Sequence, residues 1–385
     1  MENFSQREFD RRLALIQQKL EGRGLDGLIV TGITNLAYVA GYPVGWMTNS
    51  GATLGLAAAV VANGEVRIMV RLYEGDSARW LAPSWLTVVP YSGDADDPRN
   101  PPVVLAEVLQ GMGLGSARVG VELDVPGLTP TDLEHLKRLL PNARFTDASD
   151  LIVSCSVVKS EEELSVMRRA MEATEAGVRA IESTLRPGVK ESDLASNVLA
   201  AMIGRGSGYP IFQPFVTSAA RSSLPHAVWS ERAVRNGESV FSETSGSVLR
   251  YHAPLIRTAL IGSNDEVEAA YRVTKDALDA ALGVIRPGIT TGDVDKTCRG
   301  VIKRRDYGPM FRLRTGYQVG IDWVTRGSIS LMPGGTEELV PNMTFHVRPL
   351  LQDSGRFAVG CSETVAVTES GCSTLGTGLH DLIRV

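Results

Sequence analysis

The stretch Leu185–Leu194, "LRPGVKESDL", returns 100 positions later as Ile285–Val294, "IRPGITTGDV". Each copy follows one long amphipathic run and precedes another. In both, Pro-Gly stops the first helix, and Ser, Thr or Asp residues cap the second. Beyond each copy the chain becomes strand-rich, over residues 210–261 and 311–368. Self-similarity at a fixed spacing marks a duplicated supersecondary unit. The expectation is a pseudo-twofold domain of helix–turn–helix–strands, with a ligand cleft between its halves.

This domain opens at "DASDLIVSCSVVKSEEEL", where Ser160 and Glu163 spell a capping box for a long helix. Upstream lies a smaller α/β pattern. Phe9, Leu13, Ile16 and Leu20 share one helix face. "DGLIVTG" reads as a strand, and Asn63-Gly64 between two apolar runs signals a hairpin. "LTVVPY", "PPVVLAEVLQGMG", "RVGVELD" and "PTDLEHLKRLLP" continue the alternation of strands and helices. The domains are therefore placed at 1–155 and 156–385.

A chain of 385 residues suits two such domains. The net charge of −5 offers no basic footprint for nucleic acid. The longest apolar run, Leu54–Ala62, is too short to span a bilayer. The N-terminal "MENFSQREFDRR" lacks the apolar core of a signal peptide. Cys155, Cys298, Cys361 and Cys372 show no CxxC or metal-like spacing, so buried free thiols and a reduced, cytoplasmic setting are expected. There is no G-x-S-x-G elbow, and the clusters "GMGLG" and "GRGSG" do not link a strand to a helix. Serine-hydrolase and nucleotide-binding readings therefore have no support.

The duplicated helix pairs come with "SSLPHAVWSERAVRNGESV", "RYHAPLIRT", "RTGYQVGI", "VPNMTFHVRP" and "CSETVAVTESG". In that order, these motifs resemble the pita-bread fold of methionine and Xaa-Pro aminopeptidases, prolidase, creatinase and ectoine hydrolase. The first domain resembles the N-terminal domain of the last three. The resemblance covers nearly the whole chain and implies an α/β N-terminal domain followed by an α+β pita-bread domain with a pseudo-twofold repeat. Metallopeptidases of this fold hold two divalent ions with two Asp, one His and two Glu. Matched by motif, those positions fall here on Glu243, Pro254, Tyr317, Arg348 and Glu363. Proline has no side-chain ligand atom and arginine cannot bind a cation. No metal and no cofactor are therefore expected.

Creatinase and ectoine hydrolase are the metal-free branch that the motifs resemble. His226 of "LPHAVW" matches the general acid/base of creatinase, a role suited to imidazole near neutral pH. Glu243 and Glu363 are the expected catalytic carboxylates. For Arg348, a place between them in the vacated cation space competes with a side chain that points elsewhere. The surplus carboxylate charge would then favour a small cationic or zwitterionic substrate. Creatinase has a glutamate for its substrate guanidinium where Ile256 stands here. "RYHAPLxRT" and "GYxxG" look more like ectoine hydrolase, although its W-G-E element is replaced by "WVTRGSISL" with Arg326.

For His252, sharing a strand face with Pro254, substrate contact competes with a structural hydrogen bond; for Tyr317 it competes with packing. His346 is expected on the face of Arg348. Arg326 and Arg71 are candidates for a substrate carboxylate, Arg71 in competition with an i,i+3 pair to Glu74. The resemblance to creatinase-like dimers implies a homodimer whose N-terminal domain reaches the partner's site, with Trp46 of "GYPVGW" covering the substrate. The expected activity is metal-independent hydrolysis of a C–N bond in a small amidine, guanidine or cyclic amidine. Elimination or cyclisation in the same pocket, and peptidase-like binding without turnover, are the alternatives.

Overall fold

The computed structural model describes residues 3–42, 57–92, 100–125, 127–324, 327–378 and 380–385. The chain divides into two compact units, Met1–Ser156 and Val157–Val385.

In the second unit the duplicated turn reappears as duplicated geometry. Helices Glu161–Thr184 and Asp265–Val284 each end at an R-P-G turn, and helices Glu191–Gly204 and Thr291–Arg304 follow. The Ser160–Glu163 capping box forms as expected. Gly188 and Gly288 both adopt left-handed backbone, φ 88° and 80°, which costs glycine no Cβ clash. Gly188 N–H donates to the Val234 carbonyl, and Gly288 N–H to that of Leu339. The return bonds are also repeated, Val234 N–H to Val189 and Leu339 N–H to Ile289. Each helix pair thus pins a downstream segment of its own half.

The second unit also holds two larger sheets. One runs in the order Ile383–Arg384, Leu255–Leu260, Ser239–Thr244, Phe215–Ser218. The other runs Ser330–Leu331, Gly316–Gln318, Thr344–Val347, Glu363–Val367, Cys372–Thr374. Register sets Glu243 between Ile256 and Phe215, Tyr317 opposite His346, and Val347 opposite Glu363. Ile256 N–H donates to Ser362 Oγ at 2.6 Å, and Thr364 Oγ1 donates to the Pro254 carbonyl at 2.7 Å. These bonds knit one sheet to the other.

The stretch Ser242–Ala259, which contains "RYHAPLIRT", is not one strand. Leu249 and Arg250, both at positive φ, form the loop of a short hairpin between Ser247–Val248 and Tyr251–His252. Ala253 and Pro254 then separate it from Leu255–Leu260. The expectation that His252 and Pro254 share a strand face fails, because alternation does not carry across that break.

The first unit is a six-stranded sheet ordered Thr87–Tyr91, Glu65–Arg71, Ala57–Ala62, Gly27–Val30, Arg118–Val121, Arg144–Asp147. Asn63 and Gly64, φ 50° and 74°, close the expected hairpin. Phe9, Leu13, Ile16 and Leu20 are all buried. Glu122 is fully buried and accepts from Thr31 N–H, Gly32 N–H and Asn35 Nδ2, capping a helix whose N-cap glycine has no side chain. All four cysteines are unpaired. Among the described residues no helix is long and apolar enough to cross a membrane.

One buried carboxylate organises the loop on which the cavity depends. Glu191, the first residue of its helix, accepts from Ser218 N–H and Oγ at 2.8 Å, Ser230 N–H at 3.0 Å, Ser230 Oγ at 2.7 Å and Arg221 Nε at 3.1 Å. Both ends of the segment 218–230 are therefore held by a single side chain. Glu191→Gln replaces an oxygen facing these donors with an NH2 group. It should cost on the order of 3 kcal/mol in urea unfolding, with Glu191→Asp intermediate.

Candidate active site

His226 sits in the clamped segment. Ala227 N–H donates to the Leu224 carbonyl at 3.2 Å, closing a turn with Pro225 second and His226 third. His226 has φ 58°, the left-handed conformation that a type II turn needs at that position. Glycine or asparagine is usual there, and a histidine held in left-handed backbone is the kind of strain that functional sites retain. The turn leaves the imidazole exposed, with its ring 5.9 Å from that of Phe215.

The ring lines a cavity of about 450 Å³. Glu243, Arg312, Arg314 and Arg348 share that wall, and Glu243 is the only acid among the described lining residues. Its half-buried carboxyl is pushed above the usual carboxylate range by desolvation. The Arg348 and His226 charges and a hydrogen bond from Tyr317 pull the other way. Arg348 has its Nε buried without a hydrogen-bond partner, and its guanidinium lies 5.1 Å from the Tyr317 ring centroid. The Arg314 guanidinium is 4.4 Å from the same centroid and donates to Ser330 Oγ at 2.6 Å. Desolvation and the neighbouring Arg348 charge both lower the pKa of Arg314.

Glu363 is not where the charge argument expected it. Arg257 Nη2 donates to Glu363 Oε1 at 2.7 Å, and the two side chains are 4% and 1% exposed. His380 Nδ1 lies 3.5 Å from the same oxygen. Glu363 does not line the cavity, and Arg348 is not paired with it. The expected carboxylate surplus is therefore corrected. Three arginines and one acid are among the described residues lining the cavity, so the wall favours an anionic group on a ligand.

His252 is also reassigned. Its Nδ1–H donates to the Arg250 carbonyl at 2.9 Å, and its Nε2 accepts from Ile211 N–H at 3.2 Å. Burial holds the ring neutral, with a pKa of about 3. Both nitrogens are used by the main chain, leaving none for a substrate. Tyr317 is buried just behind the cavity wall, its hydroxyl accepting from Trp323 Nε1 at 3.0 Å and lying 3.1 Å from His346 Nδ1. Arg71 belongs to the first unit, opposite Tyr91. Trp46 and Arg326 lie outside the described residues.

Sequence reading passed over Arg312 and Arg314, although "FRLRTGY" sets two cations on alternate residues directly before the expected site tyrosine. It also passed over Arg257, Trp323 and Glu191. Nothing local distinguishes those three.

The residues do not fit the fold's two metal ions. Among the described residues no group of three or more His, Cys, Asp or Glu is arranged to hold a metal. Of the five matched positions only Glu243 and Glu363 offer carboxylates, and Glu363 is engaged by Arg257.

Two measurements check this description. Arg257→Met leaves the buried Glu363 with His380 as its remaining ionic neighbour and should cost about 3 kcal/mol of stability. For His252, the unfolded ring takes a proton below about pH 6.5 while the folded ring stays neutral until about pH 3. The unfolded state therefore binds more protons in that window, and stability falls as pH falls through it. His252 should contribute up to about 1.4 kcal/mol per pH unit. Urea unfolding from about pH 7 to pH 5 should show a shallower loss in His252→Asn.

Comparison with known proteins agrees with this architecture. Metallopeptidase family M24 matches residues 165–369, and the Creatinase/Prolidase N-terminal domain matches residues 12–158. The ectoine hydrolase of Halomonas elongata is 30% identical over 97% of this chain and 96% of its own. A probable dipeptidase PepE of Mycobacterium tuberculosis is 28% identical over 99% and 98%. The Xaa-Pro dipeptidase from Bacillus anthracis has a TM-score of 0.85 at 21% identity, covering 98% of this chain and all of that one, a likeness of fold. With both domains matched in order and the pita-bread repeat in place, the chain belongs to the M24 metallopeptidase family, among the creatinase/prolidase hydrolases.

Proposed function

We propose that the protein hydrolyses a C–N bond without a metal ion, in a small amidine, guanidine or cyclic amidine that also carries a carboxylate. The observation behind this reading is the cavity lining, which brings together His226, Glu243 and the arginines Arg312, Arg314 and Arg348. Glu243 would pair with the positive nitrogens of the substrate. Arg348, with Arg314 and Arg312, would hold its carboxylate, since guanidinium reads carboxylates with paired donors. His226 would take a proton from water as the oxygen attacks the amidine carbon. The same ring would return that proton to the departing nitrogen as the C–N bond breaks. The similarity to an ectoine hydrolase supports a zwitterionic substrate of this kind.

The similarity to dipeptidases favours a second reading, since a dipeptide is also a small zwitterion. Turnover under chelation separates the two. Chelator-treated protein should open carboxylated cyclic amidines and place the oxygen of labelled water in the product. Methyl esters of the same compounds should be turned over at least about 100-fold less efficiently, about the cost of losing a charge-assisted pair. His226→Ala should lower kcat by about 10²–10⁴-fold. Dipeptide cleavage that requires added divalent metal would overturn the proposal, and product without the label would point to elimination or cyclisation instead.

A further inference from the structure

The turn that carries His226 stands clear of the core: Leu224, Pro225 and His226 are all exposed. Its segment is strained at two places, Ala219 at φ 49° and His226 at φ 58°, neither of them glycine. Left-handed backbone of that kind persists only where neighbouring contacts over-determine it. With the turn itself exposed, hydrogen bonds must supply much of that hold.

Two of these bonds come from one side chain. Arg221 Nε donates to Glu191 Oε2 at 3.1 Å, and Arg221 Nη2 donates to the Val228 carbonyl at 2.7 Å. The second bond closes the loop 221–228 across its mouth, with His226 inside. The main chain of Arg221 is tied into the same loop. Its carbonyl accepts from Leu224 N–H at 3.1 Å, and the Leu224 carbonyl accepts from Ala227 N–H at 3.2 Å. Among the described residues, Arg221 is the only one outside 224–228 that hydrogen-bonds to that stretch. Its anchor, Glu191, is fully buried at the start of the helix Glu191–Gly204. The base of the loop is fixed separately, with Ser222 Oγ accepting from Ala358 N–H at 2.7 Å and Ser223 Oγ from Gly355 N–H at 2.9 Å.

We infer that Arg221 is a positioning residue, whose guanidinium fork holds the turn that places the His226 ring at the cavity. The other role open to this arginine is charge compensation alone, as a cation paired with the buried Glu191. The two roles differ in what they require. Compensation needs a positive charge near Glu191, which lysine also supplies. Positioning needs two donor nitrogens in a fixed fork, one for Glu191 and one for Val228, which a single ammonium on a flexible stem does not reproduce. The inference rests on the reading of His226 as the acid/base group, and adds the residue that sets where its ring stands.

Arg221→Lys in the full-length protein is the test. With ¹³C-labelled histidine, the His226 ring signal is identified by its loss in His226→Ala. It should be single and narrow in the wild type, and in Arg221→Lys it should broaden and move towards the position of free histidine. Turnover of a carboxylated cyclic amidine should fall by up to about 10²-fold in kcat, the order of loss that a small misplacement of a reacting group brings. KM should stay near its wild-type value, because Glu243, Arg314 and Arg348 lie outside the segment 218–230. An unchanged ring signal would overturn the inference and leave Arg221 as a counter-charge, and so would an unchanged kcat. If the lysine variant does not fold, hydrogen exchange on the wild type decides. The Leu224 and Ala227 amides should be protected although their turn is exposed, and exchange at the rate of an open loop would contradict the brace. Ring signal and amide exchange are both read without substrate, so failure here is distinct from failure of the proposed reaction.

Discussion

The buried pair between Arg257 and Glu363 is the constraint on which the chemistry of the cavity turns. Glu363 is the one matched metal-ligand position that keeps its residue type, and the guanidinium at 2.7 Å consumes it. Arg257 also donates to the Ser362 carbonyl at 2.6 Å, so the pair spans the two sheets of the second unit. A buried ion pair contributes little net stability over an apolar substitute, while removal of one partner is severe. Its consequence is therefore mainly one of placement. With Glu363 paired to Arg257, Glu243 is the single acid among the described residues lining the cavity, and it shares that wall with Arg348.

A second group of interactions holds the cavity's side chains from behind. Glu191 secures both ends of the segment that displays His226. Arg250, at the tip of a hairpin with φ 66°, pairs with Asp322 at 2.7 Å and accepts from the Asp322 N–H through its carbonyl. Asp322 is itself at φ 62°, and Trp323 follows it. Two residues in unfavourable backbone are thus held against each other directly before the indole that donates to Tyr317. Strain of this sort persists where surrounding contacts over-determine it. Here those contacts are an ion pair, a main-chain bond and the indole's own hydrogen bond.

The duplication was readable in the sequence because it is written in residues with few conformational alternatives. Pro-Gly stops a helix and Ser160/Glu163 starts one, whatever surrounds them. Asn63-Gly64 turns a hairpin for the same reason. The motif match also located His226, Glu243 and Arg348, which do meet in one cavity. It misjudged His252 because a hairpin loop interrupts the run of strand residues, and alternation is valid only within an unbroken strand. The charge balance reversed because the partner of Glu363 lies 106 residues away in the chain.

Local sequence, then, determined the two-domain order, the paired helices, the turns and the residue types at Pro254, Tyr317 and Arg348. These follow from backbone preference and side-chain chemistry, which belong to single residues and their near neighbours. Tertiary structure alone decided which acid faces the cavity, which arginines gather there, and how Tyr317 is hydrogen-bonded. Those outcomes depend on pairing between distant strands and on burial, because a charge or a proton settles according to the whole environment that encloses it.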